Sequence, residues 1–111
     1  MATEDYPLYV HWYKSLGWIM DCVERLPKKV RFSLATRITD LSLEVLELII
    51  EAIYQKERVM TLKKINLNIE KLRVLFRFCF ERQYLSIKQY EYISRELNEA
   101  GKMTGGWIKQ G

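Results

Sequence analysis

Apolar residues recur every three or four positions along most of the chain. This is the period of an amphipathic α-helix, so the pattern predicts an all-α fold. We expect one domain over residues 1–111. It has helices at about 8–25, 28–56, 62–83 and 86–101, followed by a short tail over 102–111.

Local signals mark the predicted helix boundaries. Pro27 disfavours the helical conformation of the preceding residue and so separates the first helix from the second. Thr61 is a candidate N-cap for the third helix, Ser86 and Gln89 have the spacing of a capping box, and Gly101 is a candidate stop for the fourth. Connections of only a few residues make sequential helices antiparallel, which predicts an up-down-up-down four-helix bundle.

Each predicted helix has one apolar stripe that we expect in the core. In chain order the stripes are Trp12, Leu16, Ile19, Val23 and Leu26; Val30, Leu34, Ile38, Leu41, Val45, Leu48 and Ala52; Leu62, Ile65, Ile69, Leu72, Phe76 and Cys79; and Ile87, Tyr90, Ile93, Leu97 and Ala100.

The second and third helices carry further apolar residues away from their core stripes. On the second they are Phe32, Leu43, Leu46, Ile50, Ile53 and Tyr54, and on the third Leu67, Val74, Leu75 and Phe78. Long helices sometimes bury more than one stripe, which is one explanation. We favour a subunit interface, because large exposed apolar patches are rare on monomers. The predicted assembly is a homo-oligomer whose interface residues are Phe32, Leu46, Ile50, Tyr54, Leu67, Val74 and Phe78.

The composition is that of an ordinary globular protein. About half of the 111 residues are hydrophobic, yet no apolar run approaches the roughly 18 residues that span a bilayer. The first five residues include two acids and lack the positive start and apolar centre of a signal peptide. We therefore expect a cytoplasmic protein that does not enter a membrane.

Basic residues are clustered although the net charge is only +4. Residues 25–37 contain several bases and no acid. Arg73 and Arg77 stand four positions apart and so share a helix face. Such groups neutralise phosphates in a salt-dependent way, although arginines often pair with acids instead, here with those of the second helix. The candidate nucleic-acid-binding residues are Lys28, Lys29, Arg31, Arg37, Arg73 and Arg77.

The sequence offers no catalytic constellation. His11 is the only histidine, and beside two aromatic residues it favours a packed or surface role over catalysis. No serine lies in a nucleophile-elbow pattern, and no glycine-rich loop is present to hold a phosphate. We expect neither enzymatic activity nor a cofactor.

Metal and disulfide sites are also not expected. Cys22 and Cys79 are far apart in sequence, which favours two buried thiols. Four acids lie along one side of the second helix: Asp40, Glu44, Glu47 and Glu51. Di-metal sites in bundles usually add histidines to such acids, and none is available here, so we expect a solvated or salt-bridged face.

Three stretches together resemble the accessory variability determinant (Avd) proteins of diversity-generating retroelements. They are Leu26-Pro27-Lys28 with the helix that follows, Leu72-Arg73 with Leu75-Phe76-Arg77, and the ending Gly105-Gly106-Trp107-Ile108-Lys109. More distantly, the chain resembles the four-helix-bundle proteins encoded in ribosomal-RNA intervening sequences. The resemblance covers nearly the whole chain after the start of the first helix.

The Avd resemblance implies a barrel-shaped homopentamer that binds a reverse transcriptase and nucleic acid, RNA above all and DNA in addition, to support mutagenic retrohoming. It assigns Lys28, Arg31, Arg37, Arg73 and Arg77 to a basic surface. Thr104 departs from the family pattern, which has an apolar residue before Gly-Gly. Two alternatives remain: a protein of the intervening-sequence type, and a scaffold module with no retroelement role.

Overall fold

This computed structural model describes residues 2–110, which contain four α-helices and no strand. The helices are α1 Pro7–Glu24, α2 Thr36–Tyr54, α3 Val59–Glu81 and α4 Ile87–Gln110. The predicted all-α fold class is therefore confirmed. None of these helices is long and apolar enough to cross a membrane.

Contacts between the ends of helices show the antiparallel order. Tyr6, just before α1, stacks on Trp107 near the end of α4 with ring centroids 5.4 Å apart. Trp18 near the end of α1 contacts Tyr92 near the start of α4 at 5.0 Å. Each helix packs on the next along the chain, and α4 returns to α1. The bundle is thus up-down-up-down.

The predicted core stripes are mostly buried, with corrections at their edges. Trp12 is fully buried, and its Nε1 donates a hydrogen bond to the Ser42 carbonyl oxygen at 3.0 Å. The α3 stripe is buried at every predicted position. Five predicted core residues are only half-buried, and Ile87 is exposed: Leu16, Val23, Val30, Leu34, Tyr90 and Ile87. In α1 the buried positions shift toward Ser15 and Cys22, which face the neighbouring helices.

The predicted continuous helix from residue 28 to 56 is wrong at its start. A 3-10 turn over Lys28–Val30 and a π-helical turn over Arg31–Ala35 precede α2. Val30 has φ −111° and ψ 12°, which interrupts regular helix. The Thr36 hydroxyl donates to the Arg31 carbonyl oxygen at 2.8 Å and stabilises the widened turn.

The boundaries of α3 also differ from the prediction. Its N-cap is Arg58, while the Thr61 hydroxyl donates to the side chain of Gln55 at 2.7 Å instead of capping the helix. The helix ends in a Schellman turn, because Gln83 has φ 64° and the Tyr84 amide donates to the Cys79 carbonyl oxygen at 2.8 Å. This turn places Tyr84 at the end of the bundle.

The predicted capping box at the start of α4 is confirmed. The Ser86 amide donates to Gln89 Oε1 at 2.8 Å, and the Gln89 amide donates to Ser86 Oγ at 3.1 Å. These reciprocal bonds satisfy two of the amide groups that a helix start leaves without partners.

The predicted stop at Gly101 is wrong, and so is the predicted tail over 102–110; the last residue of that tail, 111, lies outside the described residues. The helix α4 continues through all three of its glycines to Gln110. Trp107 packs against the core, and Thr104 is fully buried with its hydroxyl donating to the Ala100 carbonyl oxygen at 2.7 Å. This packing outweighs the low helix propensity of glycine, which costs only about 1 kcal/mol per residue.

Candidate nucleic-acid interface

One end of the bundle collects exposed basic residues from four helix termini. The ends of α1 and α3 and the starts of α2 and α4 meet there, as shown by Lys29 Nζ lying 5.9 Å from the centroid of the Tyr84 ring. We call this surface the basic end; its bases are Arg25, Lys28, Lys29, Arg31, Arg82 and Lys88, all exposed. The exposed acids at or beside the same end are Glu24, Asp40, Glu81 and Glu91. Bases therefore outnumber acids at this end.

A cleft of about 580 Å³ lies at the side of the basic end, between the end of α1 and the turns before α2. Lys28 and Arg31 line it together with Glu24 and Asp40. The four formal charges cancel, so the cleft alone does not favour an anion. The surplus positive charge lies on the end surface around it.

Arg73 and Arg77 are each paired with a glutamate of their own helix. Arg73 Nη1 lies 2.8 Å from Glu70 Oε1, and Arg77 Nε lies 3.1 Å from Glu81 Oε2. Among the described residues these ion pairs lie within α3, not between α3 and the acids of α2. Exposed pairs of this kind contribute little, so a phosphate can compete for the guanidinium groups.

The six predicted nucleic-acid-binding residues do not form one patch. Lys28, Lys29 and Arg31 are together at the basic end, and Arg77 lies about one turn below it. Arg37 lines a groove between α2 and α3 with Lys71. Arg73 lies on the other side of α3, against α4.

Sequence reasoning did not assign Arg82, Tyr84 and Lys88 to the interface. They lie on the connection between α3 and α4 and on the first turn of α4, which antiparallel order brings beside residues 28–31. The predicted up-down-up-down topology could have indicated this, because antiparallel helices bring every second connection to the same end of the bundle. Tyr84 is half-buried beneath Lys29, so its ring is only partly accessible to a base.

A model of the bAvd-like family matches residues 10–111. The chain belongs to the bAvd-like family. This finding confirms the resemblance to Avd proteins and assigns the chain to an accessory, non-catalytic kind of protein associated with retroelements. No curated protein matches the chain.

This bAvd-like chain exposes two separate apolar faces. The α2 face consists of Leu43, Ile50 and Tyr54, which are 40%, 37% and 72% exposed. The α3 face consists of Met60, Leu67, Val74 and Phe78, which are all exposed. Of the other residues expected outside the core, Phe32 is 88% exposed, Leu46 and Leu75 are half-buried, and Ile53 is buried, which corrects its placement.

A charged strip separates the two apolar faces where α2 meets α3. Glu44 of α2 accepts a hydrogen bond from the amide of Asn68 of α3 at 2.7 Å. Glu51 lies near Lys64 at one groove of this strip, and Lys71 lines another. Acids of α2 thus flank the α2 face, and lysines of α3 flank the α3 face.

The remaining candidate groups have structural roles. His11 Nε2 lies 2.9 Å from the Glu96 carbonyl oxygen, in the seam between α1 and α4. Cys22 and Cys79 are free and buried, and burial raises the pKa of each thiol to about 11, so both are protonated at neutral pH. Across residues 2–110 no group of three or more His, Cys, Asp or Glu side chains could hold a metal ion.

Proposed function

We propose that this chain is an RNA-binding accessory subunit that serves the reverse transcriptase of a diversity-generating retroelement and supports mutagenic retrohoming. Family membership supplies the retroelement context. The observation that supports RNA binding is the basic end, where six exposed bases outnumber four exposed acids.

The chemistry of the basic end favours backbone contacts over base recognition. Lysine and arginine side chains neutralise phosphates and release condensed counterions, which gives affinity that falls steeply with salt. Such contacts carry no sequence information of their own. An accessory subunit of this kind holds RNA for a polymerase without selecting the copied sequence.

We propose further that the chain assembles into a ring of identical subunits, with five copies as the Avd resemblance implies. The α2 face and the α3 face are different surfaces, flanked by acids and by lysines respectively. Pairing of one face with the other is a heterologous contact, which gives a closed ring when the rotation between subunits closes and does not give a twofold dimer. A ring also places several basic ends on one assembly, which multiplies a modest affinity.

The test compares two triple variants that remove the same charge. One is Lys28→Ala, Lys29→Ala, Arg31→Ala at the basic end; the control is Lys14→Ala, Lys56→Ala, Lys109→Ala, at exposed positions elsewhere. Affinity for an RNA transcript of the chain's own locus is measured at two salt concentrations. We expect the basic-end variant to bind at least about tenfold more weakly, with a salt slope reduced by about 2. Equal losses in the two variants would refute the basic end as the interface.

Reverse-transcriptase binding has its own test. The protein is co-expressed with the reverse transcriptase encoded at the same locus, and the complex is isolated after nuclease treatment. Recovery of both proteins in a fixed ratio supports the accessory role. Loss of the polymerase after nuclease treatment would show that RNA alone connects the two.

A further inference from the structure

A second positively charged site lies between α3 and α4, away from the basic end. A cleft of about 480 Å³ is lined only by polar residues and one glycine: Asn66, Glu70, Arg73, Asn98, Gly101 and Lys102. On α3 the lining residues recur at intervals of four and three positions, and on α4 Gly101 and Lys102 lie three and four positions after Asn98, so each set shares one helix face at the seam.

Arg73 fits into this cleft because Gly101 of α4 has no side chain. A Cβ atom added to Gly101 would lie 3.0 Å from Arg73 Nη2, so the glycine leaves room for the guanidinium group. The ion pair with Glu70 uses Nη1 at 2.8 Å. Arg73 Nε is buried and makes no hydrogen bond to the described residues. Gly101 and Glu70 thus fix the position of the guanidinium group, while only some of its N–H donors make hydrogen bonds to the described residues.

The charges of the cleft suit a single negative group. Glu70 offsets Arg73, and Lys102 adds one further positive charge. The side-chain amides of Asn66 and Asn98 supply N–H donors. A phosphodiester carries one negative charge and accepts hydrogen bonds from guanidinium, ammonium and amide groups.

We propose that this α3–α4 cleft binds one phosphodiester group of an RNA backbone, with Arg73 and Lys102 as its charged contacts. The inference rests on the proposed RNA-binding function and extends it to a second contact on the side of the bundle. It gives Gly101 a role in binding, which is to position Arg73.

Two alanine substitutions on the same helix separate this role from effects on folding. Gly101→Ala places a methyl group against Arg73 Nη2, and the flexible side chain moves without disturbing the core. Gly105→Ala is the matched control, because a Cβ there meets nothing within 4 Å. Both substitutions favour the helix. We expect Gly101→Ala to weaken RNA binding by about threefold to tenfold with its salt slope unchanged, since no charge is lost.

Lys102→Ala removes a charge from the cleft, and Lys109→Ala removes one from the end of the same helix. We expect Lys102→Ala to lower the affinity and to reduce the salt slope by about 0.7. The Lys109→Ala variant should bind as the unmodified protein does. Millimolar inorganic phosphate, added as a competitor, should weaken RNA binding by the unmodified protein more than by Gly101→Ala.

The outcomes distinguish this inference from the proposed function. If the unmodified protein binds RNA and Gly101→Ala binds as tightly as Gly105→Ala, the cleft is not a contact site and the proposed function stands. If phosphate binds in the cleft but neither Gly101→Ala nor Lys102→Ala changes the affinity for RNA, the assignment of the cleft to a nucleic acid is overturned. If the unmodified protein does not bind RNA, the proposed function fails and this inference with it.

Discussion

The ammonium group of Lys29 lies 5.9 Å from the centroid of the Tyr84 ring. Lys29 belongs to the turn before α2, whereas Tyr84 follows the Schellman turn that ends α3. Their contact joins the two connections at one end of the bundle. The basic end is therefore a product of topology, and no single segment of the chain forms it.

Substitution of Leu67 by Asp should dissociate the proposed ring without unfolding the subunit. The Leu67 side chain is 54% exposed in the isolated chain, so an acid there costs the fold little. In the proposed ring the same position would be buried against a neighbour, where an unpaired charge is strongly disfavoured. Native mass spectrometry should show oligomers for the unmodified protein and monomers for Leu67→Asp.

Lys109→Asp is the control for this change, because it introduces the same side chain at an exposed position outside both apolar faces. It should assemble normally. If the unmodified protein is monomeric at micromolar concentration, the apolar faces do not form a subunit interface, and this result would contradict the proposed ring regardless of the variants.

Much of the fold could be predicted because local chemistry and burial agree. The α3 stripe is buried throughout, and the Ser86–Gln89 capping box forms as expected. The prediction failed where tertiary contacts override propensity. Gly101 looked like a stop, yet α4 continues because Trp107 packs on the core and stacks with Tyr6.

Thr104→Val should leave the stability unchanged or raise it, by up to about 1 kcal/mol. The Thr104 side chain is fully buried, and its hydroxyl donates only to the Ala100 carbonyl oxygen of its own helix. Valine has nearly the same shape, and removal of a buried hydroxyl also removes its desolvation cost. Denaturant unfolding measures the difference.

Thr104→Ser is the comparison, because it keeps the hydroxyl and deletes the buried methyl group. It should lower the free energy of unfolding by about 1 kcal/mol. A larger loss for valine than for serine would show that the hydroxyl, and not the packing, stabilises the end of α4.

Alkaline pH should destabilise the fold through its two buried thiols. Burial raises the pKa of Cys22 and Cys79 from 9.0 to about 11. The unfolded chain therefore loses these protons first. The contribution to stability is complete below pH 9 and is lost between about pH 9 and 11, by at most about 1.4 kcal/mol per pH unit for each thiol.

The double variant Cys22→Ala, Cys79→Ala isolates this effect from other groups that titrate in the same range. Denaturant unfolding at a series of pH values should give a smaller loss for the variant between pH 9 and 11. Parallel curves for the two proteins would contradict the assignment to the thiols. Alkylation of the folded protein at pH 8 should also be slow, because the thiols are protonated and buried.

The candidate site was less predictable than the fold. Lys28, Lys29 and Arg31 are adjacent in sequence, so their clustering could be foreseen. The proximity of Arg73 to Gly101 could not, because it depends on how α3 and α4 cross. Spacing along one helix reports which residues share a face, and it says nothing of which residues of another helix lie opposite.

The salt dependence of RNA affinity is the most direct test of RNA binding at the basic end. The unmodified protein is titrated onto the transcript of its own locus at several salt concentrations, and the logarithm of the affinity is plotted against the logarithm of the salt concentration. We expect tight binding at low salt and a slope of about −2 or steeper, because in the proposed interface at least three bases contact phosphates. No binding at low salt, or an affinity that does not change with salt, would contradict it.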